Sequence, residues 1–363
     1  MMKISREFSC ALLSAALILA AAGCMATEGV SQGASASESA ETAAANTTAP
    51  ATSQAASSPA ELPENPAGDF HYRVEGDHIV LEEYIGSSSS MVIPAEIEGK
   101  PVVELAELGF CRAAVTTVVI PGSVKSFGGA FNINSSIKTV IIREGVTAVS
   151  SAAFEGCEAL TTVSLPSTVT AIESNAFYCC SNLRDIRLPD ALISIGAAAF
   201  GNCFALKTFF IPASVTDISL EAVFTHCTSL SAFEAAEDNP AYTTVDGVLF
   251  SKDMKTLISY PCSRPAKEYA VPDTVRHLAK CSFFVPQDLK QLRLPEGITI
   301  FDNDVLCTYS SPFLLVLPSS VTSIGEELPY DNTNLRIGGK TGSYAQEYAL
   351  KHGLEFKDTE AAA

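Results

Sequence analysis

The sequence predicts a β-rich repeat solenoid built from coils of about 23 residues, because two separate columns of residues keep that spacing. A unit of this size is too small to bury its own apolar face, so it must stack on its neighbours. One column is proline and the other is phenylalanine. Their members are Pro166, Pro189 and Pro212, then Pro272, Pro295 and Pro318, and, for phenylalanine, Phe131, Phe154, Phe177 and Phe200, with Phe224 one residue later.

Each coil is predicted to contribute one short strand just before its proline. Residues 163–165 (Val-Ser-Leu) and 186–188 (Ile-Arg-Leu) alternate between apolar and polar, which is the period of a half-buried strand. Proline can end such a strand because it has no ladder donor to leave unpaired. A corner of small residues follows. The phenylalanine that closes each corner is expected to stack its ring on those of adjacent coils.

At this point the residues resemble a known family. The string Leu-Pro-x-x-Val-x-x-Ile-x-x-x-Ala-Phe-x-x-Cys-x-x-Leu, which runs from Leu165 to Leu183, resembles the BspA-type leucine-rich repeat of bacterial surface proteins. The segment 234–270 resembles a hairpin-like interruption that recurs in that family. The resemblance implies a right-handed leucine-rich-repeat superhelix with short helical or irregular corners. It also implies surface display and, for some members, adhesion to host proteins or other cells.

The N-terminal segment is predicted to be an export signal followed by a tether. Lys3 and Arg6 precede an apolar run too short to span a bilayer, and the run ends in the sequence Ala-Ala-Gly-Cys at 21–24. This ending resembles a lipoprotein signal, with Cys24 as the lipidated residue. The alternative is an ordinary secretory signal cut near Ala22. The residues that follow are too poor in large apolar side chains to pack a core.

These signals divide the chain into five segments. They are a lipoprotein signal peptide at 1–23, a disordered Ala/Ser/Thr-rich tether at 24–68, an N-terminal β cap at 69–105, the solenoid at 106–336 with its interruption at 234–270, and a C-terminal cap and tail at 337–363.

Charge indicates a candidate partner-binding face. The net charge of −18 disfavours nucleic acid as a partner. Cations nevertheless recur five residues before and two residues before the repeated proline. Stacked coils would align them as a basic stripe, with one aromatic residue beside it. The alternative is that these side chains only solubilise a sheet face. The predicted face consists of Lys138, Arg184, Arg187, Lys207, Phe210, Lys267, Lys290 and Arg293.

The cysteines are predicted to serve the core. Four of the eleven follow the phenylalanine column by three residues: Cys157, Cys180, Cys203 and Cys227. An inward column of this kind favours reduced thiols that behave as small apolar groups. The alternative is a disulfide between adjacent coils, since stacked Cα atoms lie within disulfide range.

Motifs for catalysis and for metal or cofactor binding are missing from the sequence, so no catalytic residue, metal or cofactor is predicted. The predicted function is a non-enzymatic, adhesin-like scaffold for protein–protein interaction. Its expected location is outside the cell, lipid-anchored at the bacterial membrane or cell surface. The expected partner is a protein of a host or a neighbouring cell, the membrane is contacted only through the lipid, and the chain is expected to be a monomer. The alternatives are a glycan or cell-wall binding module and a structural spacer of the envelope.

Overall fold

The computed structural model describes residues 62–298, 300–301, 305–307, 312–324 and 334–359. These residues form a β-solenoid of about 11 turns with a spacing of about 23 residues, which confirms the predicted fold class. The predicted signal peptide, Cys24 and most of the predicted tether lie outside the described residues. No helix of the described part is long and apolar enough to cross a bilayer.

The strands are short, as the repeat requires. In chain order they are β1 (Phe70–Glu75), β2 (His78–Tyr84), β3 (Ser90–Val92), β4 (Glu96–Ile97), β5 (Lys100–Leu105), β6 (Thr117–Ile120), β7 (Thr139–Ile142), β8 (Ala148–Val149), β9 (Thr162–Ser164), β10 (Ala171–Ile172), β11 (Ser194–Ile195), β12 (Thr208–Ile211), β13 (Asp217–Ile218), β14 (Ala232–Ala235), β15 (Tyr242–Val245), β16 (Val248–Ser251), β17 (Thr256–Ser259), β18 (Glu268–Ala270), β19 (His277–Leu278), β20 (Phe283–Phe284), β21 (Gln291–Arg293), β22 (Ile300–Phe301), β23 (Leu306–Cys307), β24 (Phe313–Val316), β25 (Ser323–Ile324), β26 (Leu335–Gly339) and β27 (Glu355–Asp358). Helix α1 (Tyr344–Lys351) precedes β27 and packs against β26 and β27.

Two parallel ladders run along the solenoid. The first ladder contains the longer strands and consists of the sheets β3-β6-β7-β9, β12-β14 and β18-β21-β24-β26-β27. The second ladder contains two-residue strands, such as β8-β10-β11-β13. Both keep the repeat register, since Thr139 pairs with Thr162 in the first and Ala171 with Ser194 in the second. We call the outward surface of the first ladder the strand face.

The N-terminal end is closed by a mixed sheet in the order β1-β2-β5-β4. Ordered contacts begin before the predicted boundary at residue 68. The Asn65 amide N–H donates to Val92 O at 2.9 Å, and Val92 N–H donates to Asn65 Oδ1 at 2.7 Å. Asn65 therefore pairs the otherwise open edge of β3, a role that the average composition of the tether conceals.

The phenylalanine column forms the centre of the core, as predicted. The rings of Phe131, Phe154, Phe177 and Phe200 are fully buried and nearly parallel, with centroids 5.3 to 5.7 Å apart. Phe224 extends the stack at 6.0 Å. Each ring therefore has aromatic neighbours above and below, which removes its apolar surface from water along the whole column.

The corners place residues in the left-handed backbone region so that their amides reach the next coil. Ala152, Asn175 and Ala198 have φ of 53°, 58° and 51°. Their N–H groups donate to Ser174 O, Ala197 O and Glu221 O at 2.9 to 3.0 Å. The small or polar residues of the corner tolerate this conformation better than branched ones would.

One predicted strand is wrong. Residues 183–189, which we call the break, have no strand, and the first ladder is interrupted there between β9 and β12. Asp185 stands where Thr139, Thr162 and Thr208 begin strands in other coils. Aspartate is disfavoured in strands, whereas the β-branched threonine is favoured, so Asp185 weakens strand formation in this coil.

A hairpin divides the core. Strands β15 and β16 are antiparallel, as are β16 and β17, and β17 then pairs in parallel with β19. Along β16, Leu249 belongs to the N-terminal core cluster, while Val248 and Phe250 belong to the C-terminal one. The strand is thus buried on both sides, which explains its uninterrupted apolar sequence.

We expect Phe177→Ala to lower the free energy of unfolding by about 3 to 5 kcal/mol, because stacked neighbours cannot collapse into the cavity. Phe210→Ala is the matched control, since Phe210 is exposed, and its effect should stay within about 0.5 kcal/mol. Urea denaturation followed by circular dichroism measures both. Equal losses in the two variants would contradict the central role of the stack.

Candidate functional site: the strand face

The eight residues of the predicted face are all exposed on the first ladder or in the break. Lys138 and Lys207 directly precede β7 and β12, and Phe210 is the third residue of β12. Arg184 and Arg187 lie in the break. Lys267 and Lys290 directly precede β18 and β21, and Arg293 ends β21.

The structure brings these residues together in two groups rather than in one stripe. The first group, which we call the N-terminal basic group, contains Lys138, Arg184, Arg187, Lys207 and Phe210. The second contains Lys267, Lys290 and Arg293. The sheet of β12 and β14 ends before β18 begins a new one, because the hairpin intervenes. A continuous basic stripe therefore does not form along the described coils.

Within each group, backbone hydrogen bonds fix the spacing of the cations. Lys290 N–H donates to Lys267 O at 2.7 Å, and Lys207 N–H donates to Arg184 O at 3.3 Å, so each pair lies on adjacent coils. Thr161 N–H donates to Lys138 O at 2.9 Å, which places one neutral coil between Lys138 and Arg184. The cations are thus arranged in a row at coil spacing.

Phe210 is the apolar member of the face. On β12 the side chains alternate, so that Phe209 lies in the core and Phe210 points outward with 51% of its surface exposed. Its partner in the next coil is Glu234, which is also exposed. A large ring beside charged groups is typical of interaction surfaces.

The cysteine column faces inward, as predicted. Its four members, Cys157, Cys180, Cys203 and Cys227, are free and fully buried. Each Sγ donates to the carbonyl of a phenylalanine one coil earlier, at 3.1 to 3.3 Å. Burial raises the pKa of the Cys157 thiol to about 12. A thiol held protonated in this way is a poor nucleophile and a poor metal ligand.

The described residues contain no group of three or more His, Cys, Asp or Glu side chains placed to hold a metal ion. Asn134 occupies the cysteine position of its own coil. Its Nδ2 donates to Phe110 O at 2.8 Å and its Oδ1 accepts from Ser136 N–H at 2.9 Å. This buried polar side chain is therefore satisfied by backbone and serves the structure.

A polar ridge at the corners was missed by the sequence analysis. Asn132, Glu155 and Tyr178 occupy the same position of successive coils, and all three are partly buried. Burial raises the pKa of Glu155, whose Oε2 is buried and has no hydrogen-bond partner in the described residues. The spacing of 23 was available as a signal, but the residue type changes from coil to coil.

A family model described as the BspA type leucine rich repeat region matches the chain in six copies, over residues 104–231 and 260–337. These ranges cover more than half of the 363 residues and leave out the hairpin strands β15 and β16. No curated protein sequence is detectably similar to the chain.

Solved structures of bacterial proteins share the fold. A leucine rich cell surface protein from Faecalibacterium prausnitzii has a TM-score of 0.52 at 23% identity, covering 80% of this chain and 98% of that one. A leucine-rich repeat protein from Eubacterium ventriosum has 0.56 at 21%, covering 74% and 69%. The pneumococcal vaccine antigen PcpA has 0.56 at 20%, covering 80% and 96%. At these identities the likeness is one of fold.

We expect the four column thiols to be reduced and unreactive in the folded protein, because they are buried and protonated. Iodoacetamide at pH 8 should leave them unmodified, while the half-buried Cys111 and Cys179 react first. After unfolding without reductant, all four should be alkylated, as counted by intact mass. Failure to alkylate them, with two mass units missing per pair, would indicate disulfides instead.

We expect Glu155→Gln to stabilise the protein at pH 7. The pKa of Glu155 is raised in the fold from its usual 4.5, so its ionisation is easier in the unfolded chain. The contribution of Glu155 to the free energy of unfolding is therefore favourable below its unfolded-state pKa, and this contribution is lost as the pH rises through its folded-state pKa. The stability difference between variant and wild type should shrink as the pH falls towards 4. Thermal denaturation at both pH values measures it, with the exposed Glu158→Gln as the control.

Proposed function

Because the chain belongs to the BspA-type leucine-rich repeat family, we propose that it is a non-enzymatic, adhesin-like scaffold that binds proteins at the bacterial cell surface. The observation that carries the proposal is the strand face, which offers exposed cations and an exposed phenylalanine on a rigid stack of coils. Repeat scaffolds use extended surfaces of this kind for binding.

The contrast between the outer face and the interior supports binding rather than catalysis. The four column thiols are buried and engaged with backbone carbonyls, so they are not available for reaction with a bound molecule. The exposed residues of the predicted face include seven cations and one aromatic side chain, groups that contribute to protein interfaces.

Surface display is supported by two observations. A structural relative from Faecalibacterium prausnitzii is described as a cell surface protein. This chain's own N-terminal sequence resembles a lipoprotein signal ending at Cys24, followed by a tether without lysine or arginine before Arg73. Lipidation of Cys24 would hold the solenoid to the membrane while the tether lets it stand clear of the membrane face.

We expect protease added to intact producing cells to release a fragment containing the solenoid, because the predicted tether is poor in large apolar side chains. Cys24→Ser should shift the full chain from the membrane fraction to the medium. The protein recovered from that variant is then used to capture proteins from cell-surface and host-matrix extracts.

Immunoblotting of the released fragment and saturable capture of a protein would support the proposal. Protection from protease in intact cells, together with release after lysis, would contradict surface display. Retention of Cys24→Ser in the membrane would contradict the lipid anchor. Turnover of a bound molecule by the purified protein would contradict the non-enzymatic role.

A further inference from the structure

We propose that the N-terminal basic group and the break together bind an extended acidic segment of a partner protein, with an apolar side chain of that segment resting on Phe210. The inference rests on the proposed function and specifies the chemistry of the partner.

The charge of this part of the face is opposite to that of the whole chain. From β7 to β14 the outward residues include the cations Lys138, Arg184, Arg187 and Lys207, against the carboxylates Asp185 and Glu234. Within the strand positions and the break alone, four positive and two negative groups give a local excess of two, on a chain with a net charge of −18. The exposed carboxylates Glu144, Glu158 and Asp190 of the same coils lie outside these positions. A positive area surrounded by acidic surface favours a negatively charged segment and repels a basic one.

The spacing of the cations suits an extended chain. Adjacent coils are about 4.8 Å apart along a sheet, and same-side residues of an extended peptide are about 6.6 Å apart. A segment that runs along the solenoid axis can therefore bring alternate carboxylates near Lys138, Arg184 and Lys207 over a few residues.

The break offers backbone groups that the rest of the ladder does not. Among the described residues, no backbone hydrogen bond joins 185–188 to β9 on one side or to β12 on the other. Asp185 and Arg187 are exposed in this segment, so a partner can approach the break from the outer face. A partner segment that lies across the break can bring its own polar groups to the backbone groups that lack a partner there.

Phe210 provides the apolar contact. It lies on β12, the strand that follows the break, and exposes 51% of its surface beside Lys207 and Glu234. Contact between this exposed ring and an apolar or aromatic side chain is favourable, because it removes apolar surface from water. The ring thus discriminates between an acidic segment that carries such a residue and one that does not.

The test uses the full chain carrying Cys24→Ser and a fluorescein-labelled peptide of twelve residues. The peptide alternates Glu and Thr around a central Leu, and a second peptide has Gln in place of Glu. Fluorescence anisotropy measures the dissociation constants at two salt concentrations. We expect binding of the Glu peptide alone, weakening as salt rises.

Arg184→Glu/Arg187→Glu/Lys207→Glu should weaken binding of the Glu peptide by about tenfold or more, because it reverses three charges at the contact. The matched control Lys252→Glu/Lys255→Glu/Arg276→Glu changes three exposed cations away from the group and should leave binding unchanged. Phe210→Ala should weaken binding of the Leu-containing peptide and have no effect on a version with Thr at that position.

Absence of binding by the wild type, or equal weakening in both triple variants, would overturn the inference. Circular dichroism checks that each variant folds. If the triple Glu variant at 184, 187 and 207 does not fold, the neutral variant Arg184→Gln/Arg187→Gln/Lys207→Gln replaces it. Capture of the same surface protein by the wild type and by Arg184→Glu/Arg187→Glu/Lys207→Glu would contradict the acidic segment but would still support the scaffold proposal. Peptide binding by a chain that is protected from protease in intact cells would support the acidic segment and contradict surface display.

Discussion

Burial of each coil against its neighbours is the constraint on which the structure depends. A coil of about 23 residues cannot enclose its own phenylalanine, so Phe177 is covered by Phe154 on one side and Phe200 on the other. The cysteine column completes this layer with a small group that also donates to a backbone carbonyl. Stability is therefore shared between adjacent coils, and every coil in the row needs both neighbours.

The hairpin shows how the stack tolerates an interruption. Strands β16 and β17 place alternate side chains in the N-terminal and C-terminal core clusters, so the hairpin contributes to the core on both sides where the repeat stops. Arg264 reinforces this region from outside. Its guanidinium lies 5.6 Å from the ring centre of Tyr260 and 5.3 Å from that of Tyr269, and its Nε donates to Asp246 O in the hairpin turn.

Periodicity explains what could be predicted from the sequence. The Phe177 and Cys180 columns required only the spacing and the apolar character of their members, and both lie in the core. The candidate face followed from the same register, which puts Lys207 one coil after Arg184. These features depend on averages over many coils, so a single substitution does not hide them.

Features that depend on one residue were not visible in the same way. No strand forms in the coil of Asp185, Asn65 alone pairs the edge of β3, and the hairpin separates the two basic groups. Glu155 illustrates a further difficulty, because its pKa depends on how deeply the corner is buried, which residue spacing does not report.

The left-handed corner residues also bear on how such a chain changes length during evolution. Each coil donates from positions such as Ala152 to the coil that follows and accepts at positions such as Ser151 from the coil before it. Duplication or loss of one whole repeat therefore leaves every donor with an acceptor, whereas an insertion of another length has to be accommodated away from the corner positions, as the hairpin is. Tandem duplication in steps of one repeat is the change this architecture tolerates best, and the length of the binding surface grows in the same steps.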